Sequence, residues 1–389
     1  MRFKVLTLNS ISAKGLDRLP RDRYEVAPEI ADPDAILVRS ADMHAMPVPA
    51  GLLAVGRAGA GTNNIPVALL TARGIPVFNA PGANANAVKE LVLAGLLVAA
   101  RHLCTAWDFV RGLRLEGDAL EAAIEEGKKR FIGHELPGRT LGVVGLGAIG
   151  VEVANAAHLL GMRVLGYDPQ ITVQRAWQLS SGVEQAQSLD DLFARSNAVT
   201  VHVPLTERTR ALVHAERLRL MPDGGTVLNF ARAGIVDEAA IIAALDSGKL
   251  SAYVCDFPSP GIKDRPGVVA LPHLGASTSE AEENCAMMVA DTLRDFLEHG
   301  NIRHSVNFPE AALPRIPATS RIAIANSNVP NMVGQISTCL AGAGLNIADL
   351  LNKSKGEVAY TLIDIDGQVP AGLVARMGRI DGVLSARAV

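Results

Sequence analysis

Short apolar runs bounded by glycine, proline or polar residues alternate along most of this chain with stretches of helical period. In the first third, Lys4–Leu8, Ala35–Arg39, Leu53–Val55 and Ile75–Asn79 predict strands. Pro66–Arg73 predicts a helix, with proline early, where its missing N–H costs nothing, and Gly74 closing it. A long helix is expected over 84–103, then a charged stretch, Glu116–Arg130. The middle third repeats the alternation more strongly. Thr140–Val144, Arg163–Tyr167, Val199–Val203, Thr226–Phe230, Ala252–Cys255 and Val268–Leu271 predict strands, with helices near 147–160, 188–195, 237–247 and 277–298. Continuous apolar runs such as Ala-Val-Thr-Val-His-Val (198–203) suit parallel strands buried on both faces. The expected fold class is therefore α/β, with doubly wound, Rossmann-like parallel sheets.

Phe308–Ser320 carries three prolines and reads as a linker. Beyond it the pattern is strand (322–325), helix (332–343), strand (347–352), strand (358–365), helix (373–380), strand (383–389). That βαββαβ order is the split arrangement of ferredoxin-like modules. The expected domains are 1–90 plus 277–307 (discontinuous), 91–276, a linker 308–320, and 321–389.

Composition narrows the function classes. The 389 residues are 49% hydrophobic and 20% charged, which excludes a disordered chain. Lys plus Arg number 37 against 40 Asp plus Glu, so no basic face is available for nucleic acid. The longest apolar run, Leu91–Ala100, lies between Lys89, Glu90 and Arg101 and is too short to span a bilayer. The N-terminal residues carry no secretory pattern, and a cytoplasmic location is expected. Cys104, Cys255, Cys285 and Cys339 lack CxxC spacing and read as thiols, with no metal site expected.

Two features carry chemistry. The run Leu141–Gly150 contains GxGxxG at Gly145, Gly147 and Gly150, after an expected strand and before an expected helix. Gly145 permits the tight turn, Gly147 lets a diphosphate reach the backbone, and Gly150 lets helix and strand pack closely. The helix N-terminus supplies N–H donors and a positive dipole end. Asp168, 18 residues beyond Gly150, ends the next strand and can accept from ribose hydroxyls. Its charge would repel a 2′-phosphate, so NAD is favoured over NADP. The second feature is a pair at successive strand ends: Arg232 in Asn229–Gly234, and His273 in Leu271–Gly275. A guanidinium can hold a carboxylate and polarise a forming carbonyl, and an imidazole can take a hydroxyl proton.

With these residues in place, the chain resembles the D-2-hydroxyacid dehydrogenases, over essentially all of its length. The markers are Arg39-Ser40, Gly-Arg-Ala-Gly-Ala-Gly-Thr-Asn-Asn (56–64), Val-Phe-Asn-Ala-Pro-Gly-Ala-Asn (77–84), Gly145–Gly150 and Asn229–Asp237. Pro-His-Leu-Gly-Ala-Ser-Thr-Ser-Glu-Ala (272–281) and Ser-Val-Asn-Phe-Pro (305–309) complete them. The C-terminal module resembles an ACT domain, as in the branch that oxidises 3-phosphoglycerate with NAD at the start of serine biosynthesis. The resemblance implies a flavodoxin-like substrate domain, Arg232 and His273 as the catalytic pair, and substrate contacts at Arg39, Ser40, Gly59, Ala60 and Asn84. Arg57 is a further cationic candidate for the phosphate. Lys89 could assist, although a solvated helix charge is the simpler reading. Cofactor contacts are implied at Gly145, Gly147, Ala148, Ile149, Gly150, Asp168, His202, Val203, Pro204, Thr209, Ala231, Asp256 and Gly275. A homo-oligomer, dimer or tetramer, is implied through the cofactor domains.

Two departures matter. The family usually places a Glu a few residues after an Asp-Val-Phe run to hydrogen-bond the catalytic His; here Cys255-Asp-Phe-Pro-Ser-Pro-Gly261 has none. Asp256, Asp264 or a water is the expected replacement. Ala233 also stands where Gly is usual. In the tail, the resemblance places L-serine contacts at Asn326, Asn328 and Asn346, with Asn326 where serine-inhibited relatives have His. Dehydrogenation of another D-2-hydroxy acid (glycerate or 2-hydroxyglutarate) and a non-catalytic NAD sensor are the alternatives on the same scaffold.

Overall fold

The computed structural model describes residues 2–389 and divides into two compact units. The first combines the segment ending at Asn84 with Ser279–Val389; the second is Ala85–Thr278. The chain leaves the first unit six residues earlier than the sequence suggests, because Val88, Val92 and Leu96 of the helix Ala85–Ala100 already belong to the second unit's core. The antiparallel C-terminal module groups with the first unit, with which it shares a core.

In the first unit, β1 (Phe3–Leu8), β2 (Tyr24–Ala27), β3 (Ala35–Val38), β4 (Ala54–Arg57) and β5 (Val77–Phe78) form a parallel sheet in the order β2-β1-β3-β4-β5. That is the flavodoxin-like order. The second unit holds β6 (Thr140–Val144), β7 (Arg163–Tyr167), β8 (Val183–Gln185), β9 (Ala198–Val201), β10 (Gly225–Asn229), β11 (Leu250–Cys255) and β12 (Val268–Ala270). All are parallel, in the order β12-β11-β10-β9-β6-β7-β8, so the strand order reverses between β6 and β9. Ligands in open parallel sheets bind outside the strands' carboxyl ends at that switch point. Sequence reading missed β2, β8 and the helix Gly117–Gly127. The first two are only four and three residues long, and the helix buries nothing but Gly127.

The C-terminal module is an antiparallel sheet, β13 (Thr319–Ser327), β14 (Ile347–Lys355), β15 (Val358–Asp366) and β16 (Val383–Ala388), ordered β14-β15-β13-β16. Period-2 alternation gives it two buried faces. Ile322, Ile324, Ile363 and Ile365 pack under the helices Met332–Ala341 and Leu373–Met377. Ala323, Ala325, Tyr360 and Leu362 pack into the same core as Phe78, Phe296 and Phe308.

The return helix, Ser279–His299, joins these parts. Two glycines let it sit close. A Cβ at Gly56 of β4 would lie 2.7 Å from Leu293, and one at Gly15 would lie 2.5 Å from Ala286. Its C-terminal carbonyls are taken by the module's sheet. Arg387 donates to Phe296 and Leu297 O, Tyr360 to Gly300 O and Arg321 to His299 O. Arg321 is wholly buried and uses all five of its N–H groups. Nε and one Nη2 proton hold Asp364 at 2.6 and 2.7 Å. The others go to the carbonyls of His299, Leu313 and Pro314.

Removing one member of a buried pair strands the other charge. Arg321→Met or Asp364→Leu alone is therefore expected to lower stability by about 3–5 kcal/mol, while the double variant recovers a large part. Calorimetric unfolding of the three variants measures this, and additive losses would contradict the assignment.

Candidate active site

In the second unit, β6 runs into the glycine turn. Gly145 has φ +90°, and a Cβ there would lie 2.6 Å from the carbonyl oxygen of His202. A Cβ at Gly150 would meet the carbonyl of Gly145 at 1.8 Å, so the helix Ala148–Leu159 can begin only on glycine. A Cβ at Gly147 would meet nothing within 4 Å, and no side chain caps this helix. The turn thus leaves open space beside an uncapped helix N-terminus carrying Ala148 and Ile149, which suits a diphosphate. Asp168, just past β7, accepts the N–H of Leu146 through Oδ2 and that of Gln170 through Oδ1, both at 2.9 Å. Those bonds fix the carboxylate next to the turn, where a ribose would lie. The residues present fit a dinucleotide.

On the other side of the switch point, β9 leads into His202, Val203 and Pro204. His202 Nε2 lies 2.9 Å from Thr200 Oγ1, and desolvation pushes the imidazole down to about 4, so it stays neutral near pH 7. Thr209 donates to Pro204 O at 2.5 Å and holds this loop closed.

Arg232 follows β10 and His273 follows β12, the two strands that flank β11, and both lie against Phe257, which follows β11. The Arg232 guanidinium carbon lies 5.9 Å from the Phe257 ring centre, and the His273 and Phe257 ring centres are 4.6 Å apart. Both polar side chains are exposed at this edge. Buried Asn229 shapes the Arg232 turn by donating to Arg232 O at 2.9 Å and accepting from Ala231 N–H at 3.1 Å. His273 has φ +50°, a left-handed conformation uncommon for a residue other than glycine, though histidine enters it more readily than most. Its N–H donates to Asp256 O at 3.0 Å.

Asp256 sits directly beneath. It is 1% exposed, Oδ2 accepts the N–H of Gly275 at 3.3 Å, and Oδ1 has no hydrogen-bond partner. Desolvation raises its carboxyl above the usual range, opposed chiefly by the charge of His273 and more weakly by the Gly275 N–H and Arg232. Asp264 behaves differently: its side chain is 82% exposed and pairs with Lys263 at 3.3 Å.

In the first unit the anion-recognising candidates cluster at the ends of β3, β4 and β5. Arg57 Nε donates to Arg39 O at 3.1 Å, and Arg39 pairs with Glu282 of the return helix. Ser40 and Ala41 both donate their N–H to Asn9 Oδ1. A Cβ at Gly59 would lie 2.3 Å from the Arg57 guanidinium, so glycine is what lets that side chain lie over the loop. Asn79 donates to Ala60 O at 2.5 Å, and Asn84 Oδ1 is buried without a hydrogen-bond partner. Lys89 belongs to the second unit and donates to Asn86. Sequence reading missed Phe257, Asn9 and Glu282. No local signal marks them, because each acts through a neighbour distant in sequence.

The three regulatory asparagines are not brought together within one chain. Asn326 is buried against Thr361. Asn328 donates to Gly356 O before β15 begins, whereas Asn346 donates to Asp366 at its far end. Nine extended residues separate those ends by roughly 26 Å. The sequence places all three near turns, but β15 runs antiparallel between them and carries the turns apart.

Sheet order, glycine turn and the Arg–His pair define a dinucleotide-binding protein of the dehydrogenase type. Residues 93–275 match the model of the D-isomer specific 2-hydroxyacid dehydrogenase, NAD binding domain. The chain is 32% identical to D-3-phosphoglycerate dehydrogenase of Haemophilus influenzae, over 86% of this chain and 81% of that protein. It is 37% identical to the Archaeoglobus fulgidus protein of the same name, over 79% of this chain. There it spans only 60% of the relative's length. Among solved structures, NAD+-bound 3-phosphoglycerate dehydrogenase of Entamoeba histolytica superposes with a TM-score of 0.62 at 25% identity, covering 79% of this chain and 99% of that one. The chain belongs to the D-isomer specific 2-hydroxyacid dehydrogenase family. No helix among the described residues is long and apolar enough to cross a membrane.

The raised Asp256 carboxyl has a signed consequence. Its folded state keeps the proton to higher pH than the unfolded state, so stability falls as pH rises from about 4 through the folded value. Asp256→Asn is expected to melt above the wild type at pH 8, with the gain vanishing as pH falls toward 4. Thermal melts across that range decide it; a gain that does not depend on pH would refute the desolvation account.

Proposed function

We propose that this chain oxidises D-3-phosphoglycerate to 3-phosphohydroxypyruvate with NAD, the first step of L-serine biosynthesis. The observation that carries the reading is that Arg232 and His273 both lie against Phe257, 5.9 and 4.6 Å from its ring centre, beside the carboxyl edge of a sheet with a dinucleotide turn. The names of the relatives above support the choice of substrate.

In this reading the Arg232 guanidinium holds the substrate carboxylate and polarises the carbonyl as it forms at C2. His273 removes the hydroxyl proton, and Asp256, whose charge couples to His273, favours the protonated imidazole that results. Bound NAD would supply the acceptor for the hydride leaving C2. Gly145, Gly147, Ala148, Ile149, Gly150 and Asp168 would hold its diphosphate and ribose, and His202, Val203, Pro204, Thr209, Ala231 and Gly275 would line the rest. Arg39, Arg57 and the Ser40, Gly59 and Ala60 backbone would take the carboxylate and phosphate. Asn84 Oδ1, buried and unpaired, would accept a substrate hydroxyl. Lys89 and Asp264 have no part: one is tied to Asn86, the other is an exposed ion pair.

A second copy of the chain is the proposed partner. The helix Leu103–Gly112 has no buried residue and, with the segment that follows, exposes Trp107, Val110 and Ile132 at 61%, 47% and 80%. L-serine, as effector, would need asparagines from two chains, and β14 offers an edge for such a pairing.

Purified protein is expected to reduce NAD with D-3-phosphoglycerate. His273→Asn should lower kcat by about 10²–10⁴-fold, and Asp256→Asn should move the acid limb of kcat/KM to lower pH while Asp264→Asn leaves it alone. Turnover of D-glycerate but not the phosphorylated acid would support the other-hydroxyacid reading; NAD binding without any turnover would support the sensor. Trp107→Glu with Ile132→Glu should shift sedimentation to monomer. Calorimetric titration should show L-serine heat for the wild-type oligomer and none for that variant; no heat in either leaves the module structural.

A further inference from the structure

We infer that Glu282 is a positioning residue for the anion site: it holds the Arg39 guanidinium in the orientation that receives the substrate's charged group. The inference rests on the proposed role of Arg39.

Four cations of the N-terminal segment pair with acids on the return helix. Lys14 meets Glu283, Arg18 meets Asp291 and Arg23 meets Glu298, each at 2.7 Å, and Arg39 meets Glu282. The first three fasten one surface to another. Arg39 alone of the four stands at the carboxyl end of a parallel strand, directly after β3, and its main-chain oxygen accepts from the neighbouring Arg57. The bond to Glu282 uses one Nη2 proton, which leaves the other of the guanidinium's two bidentate edges for a ligand.

Glu282 is itself held in place. Ala281 and Cys285, which flank it on the helix, are buried at 3% and 4% exposure. The Cys285 thiol lies within electrostatic reach of Arg57, Arg39 and Glu282 together, so all four groups share one small region. The close seats at Gly15 and Gly56 fix the helix against the same sheet whose strand ends carry both arginines. A long, flexible guanidinium that must otherwise be ordered by the substrate is thus ordered beforehand. Pre-ordering raises affinity without changing the chemical step. The carboxylate also tempers the charge of the arginine pair, since the Arg39 and Glu282 side chains remain 40% and 39% exposed and the attraction is partly screened.

The test compares steady-state kinetics with D-3-phosphoglycerate for Glu282→Ala, Glu282→Gln, Glu283→Ala and Arg39→Ala, alongside their melting temperatures. Glu282→Ala is expected to raise KM by about three- to ten-fold with kcat within about two-fold, a loss of uniform binding. Glu282→Gln, which keeps an acceptor for the guanidinium, should recover most of the lost affinity. Glu283→Ala breaks the adjacent ion pair of the same helix and should leave KM unchanged while lowering the melting temperature about as much as Glu282→Ala. An effect of Glu282→Ala on KM no larger than that of Glu283→Ala would overturn the inference, because the contact would then be one more fastening pair. A fall in KM would also overturn it, showing that Glu282 competes with the substrate. If Arg39→Ala itself leaves KM unchanged, the proposed role of Arg39 fails instead.

Discussion

Twelve of the sixteen strands run parallel to their neighbours, and that one constraint decides where chemistry can happen. In a parallel sheet every strand delivers its carboxyl end to the same edge, and the crossover connections bring helix N-termini there as well. Arg39 and Arg57 lie at the ends of β3 and β4. Gly145, Asp168, His202, Arg232 and Asp256 lie within three residues of the ends of β6, β7, β9, β10 and β11. None of these side chains is placed by its own segment alone. Each is where it is because a buried strand such as Val-Leu-Asn or Val-Cys, flanked by two others, could stop nowhere else.

That same regularity explains what could be read in the sequence. Buried parallel strands are short apolar runs, and polar residues immediately after them stand out: Asp168 after Leu-Gly-Tyr, Arg232 after Asn-Phe-Ala, His273 after Leu-Pro. The glycine turn was legible because two of its three glycines answer steric demands from backbone atoms closer than any Cβ allows, while the third leaves open space beside the helix N-terminus. Elements that break the regularity were not legible. Tyr24–Ala27 is four residues of mixed polarity at the sheet edge, where only one neighbour has to be satisfied. Phe257 carries no catalytic atom; its place in the site comes from the His273 ring and the Arg232 guanidinium beside it. Asn328 and Asn346 hydrogen-bond at opposite ends of β15, and proximity to turns in the sequence does not say which end of a strand a turn occupies.

The return helix converts the second half of the first unit into a single mechanical piece. At its C-terminal end, Arg387, Tyr360 and Arg321 supply the donors that its last carbonyls lack, from three strands of the antiparallel module. A cation at that end also meets the negative pole of the helix dipole. At its N-terminal end stands Glu282. A helix of 21 residues is roughly 30 Å long and stiff on that scale, so the two ends cannot be adjusted independently. Whatever displaces the module's sheet relative to the helix must first break the bonds that Arg387, Tyr360 and Arg321 make to the carbonyls at its end.

In the proposed reading Asp256 stands in for the missing histidine-orienting glutamate, and the substitution is not equivalent. A glutamate reaching the imidazole by a hydrogen bond would orient the ring as well as stabilise its charge. Asp256 instead spends its one near hydrogen bond on the Gly275 N–H and its main-chain oxygen on the His273 N–H, so it fixes the backbone that carries the ring. Orientation of the imidazole then falls to the left-handed backbone at position 273 and to the Phe257 face 4.6 Å away. The buried carboxylate acts on the ring through charge alone. Because Oδ1 lacks a hydrogen-bond partner, that charge is held at a cost to stability, which is the arrangement expected where a group is kept for what it does to its neighbour rather than for how well it is solvated.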